Sequence, residues 1–203
     1  MGRIGKVPQH AVPKLLAMVL SLAVAIPAAA YDYPLSSTAI RDAYFLGRRQ
    51  GGLGTEFLAQ YRLSIPSLRV EQFISFARIE TPFMQVAVQS SRKLNYSAQD
   101  ALEDFRDKPL DFRIHFEICY MPDAPPDAVK IKLIQNRKEI VPDSVDRSGF
   151  YAPADVYTRL RSIGEVVDMK VDAAKIDSSL LTIQIDTPND QHVKVELDLQ
   201  GLR

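Results

Sequence analysis

The chain of 203 residues has a single cysteine, Cys119, no tryptophan and three histidines. One cysteine cannot form an internal bridge, so the fold has to hold by packing. No cysteine lies near residue 30, which excludes anchoring through a lipidated N-terminal cysteine. A surplus of one charge is missing too, since 25 Lys and Arg balance 25 Asp and Glu. Three of the basic side chains and none of the acidic ones fall in residues 1–30, so the remaining 173 residues carry a formal charge of about −3. That is not the charge of a nucleic-acid binder, and no nucleic-acid partner is expected. The sequences G-x-x-x-x-G-K-[ST], G-x-S-x-G and H-E-x-x-H do not occur, and with them go the phosphate loop, the nucleophile elbow and the zinc-protease helix. No catalytic residue and no cofactor is expected on this ground.

What is present begins with Arg3, Lys6 and Lys14 ahead of the apolar run Leu15 to Pro27, followed by Ala28, Ala29 and Ala30. This is the pattern of a secretory signal peptide over residues 1–30, cleaved before Tyr31. Thirteen residues ending in proline fall short of the roughly twenty that span a bilayer, so no stable membrane span is expected after cleavage. The expected destination is periplasmic or extracellular.

Residues 31–66 read as an N-terminal helical arm. Ser36, Ser37 or Thr38 can cap a helix that places Ile40, Ala43, Tyr44 and Gly47 on one face, and a second short helix follows from Thr55 as cap. Residues 67–203 read as one β domain. Two-residue alternation marks strands at 70–80, 83–89, 111–120, 129–135, 165–172, 180–186 and 193–199, with Thr81 and Pro82 turning between the first two. Ser97 and Asp100 form a capping box for one interrupting helix ended by Pro109, placed over an end or edge of a sheet. Residues 141–164 lack strand periodicity and read as a long loop, with a short helix in VYTRLRS and the best chance of a binding surface. The fold class expected is mainly β, an antiparallel sandwich of immunoglobulin-like architecture, although that fold's tryptophan and cysteine pair are absent. A partly open barrel is the rival.

Candidate site residues lie on this frame. In DFRIHFEICY, residues 111–120, one parity is apolar while His115, Glu117 and Cys119 share the other. His115 and Glu117, joined by His192 from the start of the last strand, would make a metal site. The alternative is a row of ordinary cross-strand pairs facing water. A free cysteine is usually buried, so the helix near 98–107 is expected to cover Cys119. Phe150, Tyr151 and Tyr157 would bind a small ligand or carbohydrate if they lined one cleft. Ser90 and Lys93 spell S-x-x-K without its companion motifs, and RRQGGLGT at 48–55 could hold an anion at a helix start.

AIRDAYFLGRR and TPFMQVAVQSSRKLNYSAQDALEDFRD together resemble a group of uncharacterised exported bacterial proteins, in which a helical arm and a Y-S-A-Q helix precede a β-rich half. The resemblance implies a bacterial envelope setting and no activity, substrate or site residue. The expected function is a non-enzymatic exported module that binds a protein or an envelope component. A small-ligand or carbohydrate module and a metal-dependent hydrolase are the alternatives.

Overall fold

The computed structural model describes residues 33–66, 72–120, 129–153, 160–177, 179–186, 192–199 and 201–202. The expected signal peptide, residues 1–30, and Tyr157 lie outside them. Among the described residues no helix is long and apolar enough to cross a membrane.

Among the described residues eight strands form two antiparallel sheets of four. The first has the order β1 (Gln72–Glu80), β2 (Asp111–Tyr120), β6 (Leu160–Asp172), β5 (Ser144–Pro153). The second runs β4 (Lys138–Ile140), β3 (Lys130–Gln135), β7 (Leu180–Asp186), β8 (His192–Asp198). Alternation dictates which side chains leave water. On β2, Phe112, Ile114, Phe116 and Ile118 are all fully buried, as are Leu181, Ile183 and Ile185 on β7. Val167, Met169 and Val171 of β6 join them in a single hydrophobic cluster fed by both sheets. Each such side chain contributes about 1.5–3 kcal/mol by leaving water. A half-exposed arginine of the first sheet also ties it to the segment before β3. Arg147 of β5 donates from Nη1 to Glu165 of β6 at 2.6 Å and from Nη2 to the Val129 carbonyl, just before β3, at 2.9 Å.

A second hydrophobic cluster belongs to helices. α1 (Ser37–Gly47), α3 (Pro82–Arg92) and α4 (Ala98–Phe105) bury Ile40, Ala43, Phe83, Val86, Ala87, Ala101, Leu102 and Phe105 together. Helix α1 therefore packs on the helices inserted between β1 and β2. Ser36 caps α1 by accepting from the Ala39 amide, and Ser97 with Asp100 forms a complete capping box on α4. The short α2 (Thr55–Gln60) starts after Gly54 as N-cap, so Thr55 is its first residue and not its cap.

Other expectations are corrected as well. Residues 83–89 are not a strand. They lie in α3, whose buried Phe83, Val86, Ala87 and Ser90 recur at three- and four-residue spacing. Met84, Val86 and Val88 also alternate, so the stretch satisfies both periods, and the decision falls to its start. Thr81 accepts from the Met84 amide and Pro82 opens the first turn, which makes Thr-Pro a helix cap and not a hairpin turn.

Residues 141–164 are not a long loop. Strand β5 and the first half of β6 occupy most of them as a hairpin, and Leu160 to Ser162 of VYTRLRS are strand. The rest of that expected helix lies outside the described residues. β5 hides from periodicity because it is exposed on both faces from Val145 to Tyr151. Strand β4 also went unseen. It follows β3 through Asn136 and Arg137, both with positive φ, the backbone of a two-residue hairpin turn.

Candidate functional site

The chemistry-bearing row of β2 lies on the outer face of the first sheet, half-buried or exposed, opposite the core. Strand pairing sets its neighbours: His115 stands beside Arg78 of β1 on one side and Asp168 of β6 on the other. His115 Nδ1 is 2.8 Å from Asp168 Oδ1, and Nε2 is 3.5 Å from Glu117 Oε1. The Phe76 ring meets the imidazole edge-on at 6.0 Å, and the Arg62 and Arg78 guanidinium groups lie over that ring at 5.3 and 5.9 Å. The two carboxylates thus flank opposite nitrogens of one imidazole, and a single ion cannot use both nitrogens of one ring.

His192 stands on β8 in the other sheet, with Nδ1 2.7 Å from Asp186 Oδ1. His115 and Glu117 are brought together; His192 is held by a different carboxylate. Among the described residues no group of three or more His, Cys, Asp or Glu side chains is placed to hold a metal ion. Hydrogen bonds from Gln184 first and His192 second hold the Asp186 carboxyl below the usual aspartate range. Asp168 was invisible to sequence spacing because it lies 53 residues from His115. Cys119 is half-buried and pairs with Gly164, at the opposite end of β2 from α4, so that helix does not cover it.

Phe150 and Tyr151 are exposed, at 38% and 61%. They are consecutive on β5 at the step where the register with β6 shifts, but the extra residue, Ile163, is on β6, so β5 itself keeps its alternation and the two side chains leave opposite faces. Phe150 reaches toward Gly164 across the ladder, while Tyr151 folds over Gly149 on its own strand. A Cβ on Gly164 would sit 2.3 Å from the Ile118 carbonyl oxygen and 3.1 Å from Phe150 Cδ2, so only glycine fits there. The two rings do not share a cleft.

What the strand order does create is an edge. β5 has ten residues, and among the described residues its only strand neighbour is β6. The other margins differ. Beside β1 runs the 61–63 segment, with the Leu63 amide donating to Ala77 O and the Ile79 amide to Tyr61 O, both at 2.9 Å. Strand β4 is three residues long. Strand β8 presents His192, Lys194, Glu196 and Asp198 to solvent, a charged guard of the kind that discourages pairing. β5 exposes Val145, Phe150 and Tyr151 alongside the charged Asp146 and Arg147.

The remaining sequence candidates have structural uses. Ser90 is buried where α1 crosses α3, and the ammonium of Lys93 turns to Asp104 at 2.9 Å. Arg48 of RRQGGLGT donates to the Tyr96 carbonyl at 2.7 Å, and Tyr44 does so at 3.0 Å. Tyr96 in turn donates to Asp104 at 2.9 Å. Burial, and then the Asp104 acceptor, push the Tyr96 phenol upward. Hydrogen bonds from Lys93 and Tyr96 hold the Asp104 carboxyl low. This network closes the helical cluster at its polar end.

No family model matches the chain, and neither a curated protein nor a solved structure shows significant similarity to it.

Proposed function

We propose that the chain is an exported, non-enzymatic β-sandwich of immunoglobulin-like architecture that binds a protein or an envelope component through edge strand β5. Two features support the sandwich. The orders β1-β2-β6-β5 and β4-β3-β7-β8 correspond to the A-B-E-D and C′-C-F-G orders of immunoglobulin-like domains, and both sheets feed one cluster. The basic and apolar pattern of residues 1–30 supports export to the periplasm or beyond.

The observation that carries the binding reading is the exposed, ten-residue margin of β5, with Val145, Phe150 and Tyr151 in water. An extended partner segment added there would gain main-chain hydrogen bonds along the edge and contacts to alternate side chains. The small-ligand or carbohydrate reading has the exposed rings in its favour, but it needs them on one face.

The test is capture of envelope proteins by the processed chain and by a Val145→Lys, Ser148→Pro, Tyr151→Lys variant. Lysine and proline block strand addition while leaving the core rows intact. The expected result is a discrete partner retained by the first and lost by the second. Equal capture by both would remove β5 from the account.

A further inference from the structure

A groove of about 770 Å³ runs between α3 and the outer face of the first sheet, and no function above uses it. One long wall is a stripe of α3, Met84, Gln85, Val88, Gln89 and Arg92, which share a face at helical spacing. The opposite wall is Arg78 and Glu80 of β1 with Arg113 of β2. Leu53, Leu58, Phe105 and Leu110 close the ends and floor, and Leu58 is 39% exposed. Gln85 spans the two walls: its Nε2 donates to the Asp111 carbonyl at 2.6 Å and to the Glu80 carbonyl at 3.3 Å. That tie holds the helix off the sheet at a set distance, so the groove exists before anything enters it.

The lining combines apolar side chains with four cations, Arg78, Arg92, Lys93 and Arg113, against a single lining carboxylate, Glu80. Arg78 is held by Glu80 at 2.8 Å, Lys93 by Asp104 at 2.9 Å and Arg113 by Asp111 at 3.3 Å. Arg92, in the last turn of α3, makes no ion pair among the described residues. The Lys93 and Arg113 pairs are more than a third exposed on both partners, so they are weak and exchangeable. We propose that this groove binds an anionic amphiphile, an acyl chain ending in a carboxylate. The chain lies along Leu58, Val88 and Leu110, and the carboxylate takes Arg92 and Arg113, whose guanidinium forks match its two oxygens. A carbohydrate would want exposed aromatic faces, and the one ring in the lining, Phe105, is buried. The groove touches β1 and β2, two strands away from β5, so the site is independent of the edge reading.

Calorimetric titration of the processed full chain with sodium dodecanoate, kept below its micellar concentration, tests this. One saturable site per chain is expected, with acetate and dodecyl maltoside each at least about tenfold weaker, because either half of the recognition is then missing. Arg92→Gln and Arg113→Gln, both at exposed positions, should each weaken dodecanoate about tenfold, the loss of one charge-assisted contact. Leu58→Ser should weaken dodecanoate and leave acetate unchanged. The β5 variant should bind dodecanoate as the parent does. Equal binding of dodecyl maltoside, or dodecanoate affinity unchanged in both arginine variants, would overturn the proposal and mark the uptake as detergent adsorption.

Discussion

The two hydrophobic clusters are built by different rules. The β cluster is made of large side chains delivered by alternation, with Phe112, Phe116, Ile114, Ile118, Leu181, Ile183 and Ile185 fully buried. The helical cluster relies on small residues and close backbones. Ala39, Ala43, Ala87 and Ala101 are buried there, and a Cβ on Gly47 would fall 2.2 Å from the Ala87 carbonyl oxygen. Its polar end is closed by the Tyr96, Asp104 and Lys93 network in place of more apolar bulk. The lesson is that the first region resists added charge and lost volume, whereas the second resists added volume and lost hydrogen bonds.

That contrast can be broken most severely in the β cluster. Phe116→Ala empties a fully buried ring site and is expected to cost about 3–5 kcal/mol in urea unfolding. A loss below about 1 kcal/mol would mean that the sheets do not pack tightly around it. Next comes Gly47→Ala, a single added methyl group, expected to cost about 1–3 kcal/mol by forcing α1 and α3 apart. Amide exchange should rise in α1 and α3 and stay slow in β2. Equal acceleration in both would show that the clusters unfold as one.

Smaller effects sharpen the same contrast. Ser97→Ala removes the side-chain cap of α4, and about 1 kcal/mol of stability should go with it, read as a lower thermal midpoint. Smallest and pH-dependent is the contribution of Asp104. Its pKa is depressed in the folded chain, so the stabilisation is complete above the ordinary aspartate range and is lost as pH falls through the lowered value. Asp104→Asn should therefore lower the thermal midpoint at neutral pH and flatten its decline on acidification. An unchanged acid profile would assign the decline to other carboxylates, such as Asp186.

Much of this architecture is legible in the chain. Phe112 to Ile118 alternate without a break, and the Ser97 to Asp100 box announces α4 before any packing is known. The stretch around Val86 is misread because Met84, Val86 and Val88 fit a strand while Phe83, Val86, Ala87 and Ser90 fit a helix. Only the cap at Thr81 separates the two, and a Thr-Pro pair also serves turns. β5 is missed for the opposite reason: an edge exposed on both faces has no buried row to write a period into the sequence. Of the candidate site residues, the nearness of His115 and Glu117 follows from spacing two along a strand. The parting of Phe150 from Tyr151 follows from the same geometry once β5 is known to be a strand.

By itself the sequence determined the burial pattern of β2, β3, β7 and the later part of β6 and the capping box of α4, because these depend on periodicity and on contacts within four residues. Tertiary structure alone decided that Asp168 meets His115, that Arg147 reaches Glu165 and the Val129 carbonyl, and that β5 stands at a margin. It also set α3 beside the sheet to leave a groove. Those outcomes depend on strand order, a relation between segments tens of residues apart that no local spacing encodes.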